Sequence, residues 1–200
     1  NAVAGKLAVG HISPMILTSF RWGMALIILA MFALPEVRRD MKIIRANWPL
    51  LAGYGMFGFA GFNITLYSAL QYTSAINVAI EQAGMPIIIF LANFLLFRIR
   101  VTGWQFLGFL LTLAGVATTA SSGSLERLIA LELNQGDALM LLAVLLYGGY
   151  TVSLRYKPVM HWKSMITVMA ASAFVTSLPF AAWEVASETA IWPDTRGLIG

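Results

Sequence analysis

The sequence predicts an all-α fold, a polytopic bundle of membrane-spanning helices. Three observations predict it. Of 200 residues, 59% are hydrophobic and only 11% are charged, whereas a soluble domain carries about a quarter charged residues. Mean hydropathy is +0.78. The apolar residues gather into runs near the ~20 residues that cross a hydrocarbon core as helix, and the connections between them are short and often basic. Helix is the state these runs must take, because backbone polar groups in lipid have to be satisfied within the segment. The period-two alternation of a lipid-facing barrel is absent.

In chain order, the end of one span runs from Asn1 to about Gly10. Further spans are predicted at Pro14–Leu34, Trp48–Leu70, Ser74–Phe97, Trp104–Ala120, Ala138–Leu154 and Ser164–Trp183. Residues after Trp192 are a candidate for another. Short connections make neighbouring helices antiparallel. Trp48, Trp104, Trp162, Trp183 and Trp192 lie at or near predicted ends, where indoles favour the interface; Trp22 is the exception. In the second full span, "GMFGFAG" spaces Gly55, Gly58 and Gly61 by three. Small residues let helices approach closely in a membrane, so tight packing is favoured over a flexible, path-lining helix. Pro86 lies within the next span and removes a helix hydrogen bond, which predicts a kink.

Alternating spans place three connections on one side. They hold Arg38, Arg39, Lys42 and Arg45, then Arg98 and Arg100, then Arg155, Lys157 and Lys163, nine of the thirteen basic residues. The opposite side has Arg127 and Arg196, and six of the nine acids: Glu126, Glu132, Asp137, Glu184, Glu188 and Asp194. The positive-inside rule puts the basic side in the cytoplasm. The net charge of +4 is thereby assigned to membrane orientation, not to a nucleic-acid surface. The chain starts at Asn1, not Met, and stops at Gly200 without an obvious terminus, so it is read as a piece of a longer protein.

Several chemistries lack support. There is no cysteine, hence no disulfide framework or thiolate metal site. His11 and His161 fall near opposite faces and cannot share a metal. No phosphate loop, HExxH or serine-based catalytic spacing occurs, so no cofactor, metal or enzymatic activity is expected.

A family resemblance rests on particular residues. "YSALQYTSA" lies at the turn between two spans. A proline, Pro86, sits deep in the next span. A basic connection follows, then "GWQFLGFLLTLAGV" with Gly103, Gly108 and Gly115. Earlier, "PMILTSFRWGMALIIL" includes Arg21; later comes "GDALMLLAVLLYGGYTVSLRY". Together these resemble the drug/metabolite transporter superfamily, specifically its EamA-like exporters. The resemblance implies a fragment of a ten-helix transporter built from two inverted five-helix repeats. Residues 1–121 would be the first repeat, lacking the start of its first helix, and 137–200 the beginning of the second. Inversion agrees with the charges: "HISP" after the first span has no Lys or Arg, whereas "RYKPVMHWK" after the sixth is strongly basic. The implied function is a secondary transporter that exports a small metabolite, such as an amino acid or related compound, by alternating access. Its expected setting is the bacterial inner membrane, with the lipid bilayer, the small-molecule substrate and a possible coupling proton as partners. The competing readings are an intramembrane enzyme and a non-transporting scaffold or receptor.

Charges inside spans mark candidate sites by default. Arg21 is seven residues past Pro14 and Glu81 seven past Ser74, each about 10 Å deep at 1.5 Å per residue. Asn63 lies seven before Leu70, also about 10 Å, and Lys6 five before His11, roughly 8 Å. Four polar groups from four helices thus fall in one predicted layer. Ser74, Asn77 and Glu81 share a helical face, and Gln82 and Asn93 a neighbouring one. Glu81, Asn77, Asn63, Arg21 and Lys6 are therefore the candidates for binding substrate or coupling a proton. The bland reading is an ion pair of Glu81 with Arg21 or Lys6. Function is favoured for Glu81 and anchoring for Arg21. Lys6 is open between function and snorkelling to the interface. Tyr54, Tyr67, Tyr147 and Tyr150 lie at cavity depth and are candidates to stack on a ligand, although plain packing is the commoner role of such residues.

Overall fold

The structure is a computed structural model, and it describes residues 2–120 and 134–193. No strand occurs among them. The acids and arginines at 126, 127, 132, 194 and 196, and the candidate span after Trp192, lie outside the described residues.

Helix α1 covers Ala2–Ala8 and α2 Pro14–Arg39. Pro14 suits the first turn of α2, where its missing N–H has no helical acceptor in any case. The helix continues past the predicted end at Leu34 and accommodates Pro35, so Arg38 and Arg39 form its last turn, a favourable place for cations beside free carbonyls. A short α3, Met41–Ala46, leads to a second long helix. This begins as α4, Trp48–Gly53, widens into a π-helical stretch at Tyr54–Gly61, and resumes as α5, Phe62–Tyr72. The next span is interrupted: α6 covers Ala75–Ala83, and α7 covers Met85–Phe97. The break is at Gly84, and Pro86 occupies the first turn of α7 rather than bending a continuous helix. Helix α8 is Gly103–Ala120, α9 Gln135–Ser153 with a 3₁₀ turn at Leu154–Tyr156, and α10 Trp162–Ala186. Among the described residues, four spans satisfy length and hydropathy for crossing a membrane: Pro14–Arg39, Ala75–Phe97, Gln135–Tyr156 and Trp162–Ala186. The expected span Trp48–Leu70 is divided by its π-helical stretch, and α8 contributes a shorter apolar stretch, Gly103–Val116. The protein is a helical membrane bundle.

Packing follows two seams. Helix α10 lies along α2, and α9 lies along α5 and α7, with the π-helical stretch wedged against both α9 and α10. The glycines explain the wedge. A Cβ on Gly55 would stand 2.3 Å from the Met169 carbonyl oxygen, and one on Gly58 would stand 2.3 Å from the Tyr150 ring. Tight packing is therefore what the glycine spacing provides. Leu66, Leu70, Val78, Met140 and Ala143 are fully buried where α5, α6 and α9 meet. Helix α8 touches mainly α6 and leaves most of its surface outward.

Polar contacts identify the two ends. At the basic end, Lys163 donates to Glu36 at 3.0 Å, the His161 N–H donates to Asp40 at 2.9 Å, and Arg155 stacks on Phe97. At the other, Met15 and Ile16 N–H groups donate to Glu184 at 3.3 and 3.1 Å, and the Ile191 N–H to Ser13 at 2.6 Å. The three basic connections thus share one end, as their charge demanded. Trp48, Trp104, Trp162, Trp183 and Trp192 are all strongly exposed, as interfacial indoles should be.

Asp40 lies just beyond α2. Its carboxyl is held below the usual carboxylate range, first by the neighbouring Ser164 hydroxyl and then by the His161 N–H. The hydroxyl is buried beside it without reaching full hydrogen-bond geometry, so the His161 contact is the defined one.

Candidate functional site

Helix α6 separates two cavities, and its consecutive residues Glu81 and Gln82 face different ones. A rotation of about 100° per residue on a 3.6-residue helix permits this. The first cavity, about 370 Å³, is lined by Arg21 and Trp22 of α2, Phe59 and Asn63, Gln82 and Tyr147, together with Gly58, Phe62 and Met85. The second, about 470 Å³, lies between α6, α7 and the start of α9, and takes in Glu81, Gly84, Asn134 and Asp137 among apolar side chains.

The first cavity combines polar and aromatic groups in a small space. Asn63 is buried, and its amide N–H donates to the Phe59 carbonyl at 2.7 Å. Its Oδ1 is buried with no partner. An unsatisfied buried acceptor costs about 1–3 kcal/mol, so Asn63 holds an acceptor that a ligand N–H would satisfy. Arg21 reaches the same space and donates to the Tyr67 hydroxyl, lying 5.6 Å from that ring's centroid. Trp22 stacks on Phe59 with centroids 4.5 Å apart and planes 7° from parallel. Tyr150 meets Phe59 and Tyr147 edge-on at 5.9 and 5.5 Å. The π-helical stretch matters here. Phe59 lies in it, Asn63 follows four residues on along the same helical face, and π-helical bulges recur at functional sites.

Chemically, the cavity offers a fixed cation, an amide acceptor, a second amide and flat apolar walls. A small amphipathic molecule with an anionic and an N–H-bearing group matches that set, which is the usual pattern of a largely apolar pocket with a few placed polar groups. Among the described residues no group of His, Asp or Glu is arranged to hold a metal.

The predicted layer of four polar groups divides. Arg21 and Asn63 come together. Glu81 lines the neighbouring cavity, where its Oε2 is buried without a partner. Lys6 makes no ion pair with it; its ammonium donates to the carbonyls of Leu70 and Thr73 at 2.7 and 2.8 Å, closing the C-terminus of α5. The ion pair offered as the bland account of Glu81 is not formed with Lys6, and Arg21 points to Tyr67 instead. Asn77 serves the start of α6, where Ser74 accepts from its backbone N–H at 3.0 Å and donates to its Oδ1 at 3.1 Å. Of the tyrosines, Tyr67 is buried against Arg21. Tyr54 donates to the Ser153 carbonyl at 2.7 Å and with Tyr150 lines a third groove of about 420 Å³ between α4 and α9.

Some groups at these sites were not singled out from sequence. Trp22 was set aside as the tryptophan away from an interface, and that anomaly was itself the available signal. Asp137 was counted as a connection acid. It is buried, accepting from the Asn134 N–H at 2.7 Å and the Thr73 hydroxyl at 2.9 Å, with Asn134 capping α9 in return. The "NQGD" spacing, Asn at the cap and a carboxylate three residues on, carries that arrangement in the sequence.

Comparison with known proteins agrees with this architecture. The profile of the EamA-like transporter family matches residues 1–121. The chain is also similar to a protein described as "Uncharacterized transporter YyaM" from Bacillus subtilis (strain 168), at 24% identity over 147 residues, 74% of this chain and 48% of that protein. The chain thus spans about half the length of the curated relative it matches. No solved structure matches. A bundle of apolar helices with its basic connections at one end, and a family match over more than half its length, place this chain in the EamA-like transporter family.

Proposed function

We propose that the protein is a secondary transporter that exports a small amphipathic metabolite, an amino acid or related compound, by alternating access across a bacterial inner membrane. The observation that carries this reading is the 370 Å³ cavity in which Arg21 stands beside the unpartnered Oδ1 of buried Asn63. Arg21 would take the substrate's carboxylate and Asn63 its N–H group. Trp22, Phe59 and Tyr147 would flank its apolar part.

The arrangement of α2 and α10 supports two inverted halves, 1–121 and 137–200. These are the second helices of the two proposed repeats. They run antiparallel, and Glu36 near the end of one and Glu184 near the end of the other each reach the opposite helix's start. Halves related in this way can rock about a site near their interface.

Glu81 is proposed as the group that carries a coupling proton. It is an intramembrane acid whose Oε2 has no partner, and the titratable group facing it from α9 is Asp137. Its place one residue from Gln82 would let its charge state bias α6, which walls the substrate cavity.

Counterflow in proteoliposomes tests the transport reading. Trans-stimulated uptake of at least one member of a metabolite panel is expected, and its absence across a broad panel would favour a scaffold or an enzyme. Glu81→Gln is expected to abolish the pH dependence of net transport while leaving counterflow intact. Unchanged pH dependence would remove Glu81 from the coupling role.

A further inference from the structure

The basic end of the bundle has two corners, and they differ in counter-charge. At the first, Lys163 meets Glu36, and Asp40 takes the His161 N–H and lies 3.9 Å from Arg39, so two carboxylates offset part of the charge of Arg38, Arg39, Lys42, Arg45 and Lys163. At the second, the α7–α8 connection presents Arg98 and Arg100, and the end of α9 presents Arg155 and Lys157, all four exposed. No acid occurs between Gln82 and Leu125 or between Ala138 and Trp183. Four cations therefore share a corner to which neither contributing segment brings a carboxylate.

The corner is also built rather than loose. The Arg155 guanidinium lies 3.6 Å from the centroid of the Phe97 ring, and Tyr156 meets the same ring edge-on at 6.2 Å. Arg98 follows immediately, in the left-handed region at φ 56°, which turns the chain out of α7 beside that platform. Just within the span, Leu95 and Leu96 are each 67% exposed. A cation held on an aromatic platform at the end of α7, beside Arg98 and near outward leucines, matches one ligand well: a negative group joined to hydrocarbon. The cytoplasmic leaflet supplies such molecules, and each basic residue near its surface attracts them by about 1 kcal/mol.

We propose that the Arg98–Arg155 corner binds the headgroup of an anionic phospholipid of the cytoplasmic leaflet, with the acyl chains running along Leu95 and Leu96. The inference does not depend on which substrate is carried. Bound lipid would cross-link the end of α7 to the end of α9, helices of the two proposed halves.

The test is lipid retention. The full-length protein is purified from nanodiscs of phosphatidylcholine containing a minority of phosphatidylglycerol, and the retained lipids are quantified by mass spectrometry. Wild type is expected to retain phosphatidylglycerol in excess of its share. Arg98→Gln with Arg155→Gln should lower that selectivity by up to about twenty-five-fold, roughly fivefold for each residue. Arg38→Gln with Arg39→Gln, at the corner that also holds Glu36 and Asp40, should change it little. Should the double variant misfold, Phe97→Leu removes the platform alone and is expected to give an intermediate loss. Equal loss in both arginine pairs would reduce the site to general surface charge and overturn the proposal, as would full retention in Arg98→Gln/Arg155→Gln. Displacement of the lipid by inorganic phosphate at matched concentration would overturn the lipid assignment as well.

Discussion

Gly58 is the tightest side-chain contact of the π-helical stretch, and replacing it with alanine tests how that stretch is held. A Cβ there would lie 2.3, 2.6 and 2.7 Å from the Cγ, Cδ2 and Cδ1 atoms of Tyr150. Ordinary carbon contacts need about 3.5 Å or more, so the ring or the helix must move by roughly 1 Å. Tyr150 cannot swing freely, because its ring also meets Tyr54, Phe59 and Tyr147. Overpacking of a fitted interior costs about 1–3 kcal/mol. Alanine simultaneously gains up to about 1 kcal/mol over glycine in helix propensity. Gly53→Ala separates the two effects, since a Cβ at Gly53 meets nothing within 4 Å. Gly58→Ala should therefore be less stable than Gly53→Ala by about 1–3 kcal/mol, roughly 5- to 150-fold in the folding equilibrium. Equilibrium unfolding in mixed micelles, followed by helical circular dichroism, measures the difference. Equal stability of the two variants would refute the close approach of α9 to the π-helical stretch.

Other predictions follow from single contacts. Lys6→Met leaves the Leu70 and Thr73 carbonyls without their ammonium donor and should lower unfolding free energy by about 1.5–3 kcal/mol, the range for hydrogen bonds to a charged group; a thermal melt identical to wild type would contradict this. The Asp40 carboxyl is lowered from its ordinary 3.8 by contacts made only in the folded state. Its stabilisation is therefore complete above 3.8 and is lost as pH falls through the lowered value. Melting temperatures taken from neutral to acid pH should show a component that Asp40→Asn removes; parallel profiles would argue against the Asp40–His161 contact. Thr73→Val removes the hydroxyl that donates to buried Asp137 and should cost about 1–3 kcal/mol, read in the same unfolding assay.

Much of the architecture was legible because hydrocarbon imposes simple rules. The positions of four spans, at α2, α6–α7, α9 and α10, followed from apolar length, and the shared end of the basic connections followed from charge. The observed helix limits differ where polar residues continue a helix beyond the lipid, as Glu36 to Arg39 do in α2. What the sequence left hidden has physical causes. A depth estimate fixes distance along a helix axis but not the direction a side chain faces, so Lys6, Arg21, Asn63 and Glu81 read as one layer although Glu81 and Gln82 open onto different cavities. Lys6 found partners in backbone carbonyls, which carry no sequence identity. The π-helical stretch depends on Tyr150 and Met169 pressing on Gly58 and Gly55 from helices about ninety residues or more away in the sequence, and local propensity says nothing of that.

The measurement that bears most directly on the account is substrate affinity in Asn63→Ala. Binding of a substrate identified by counterflow is followed through the fluorescence of the protein reconstituted in nanodiscs. Loss of one hydrogen bond at the Oδ1 of Asn63, about 1.4 kcal/mol, predicts roughly tenfold weaker binding, with helical content and melting behaviour near those of wild type. Unchanged affinity and unchanged counterflow in Asn63→Ala would contradict the assignment of the Arg21–Asn63 cavity as the transport site.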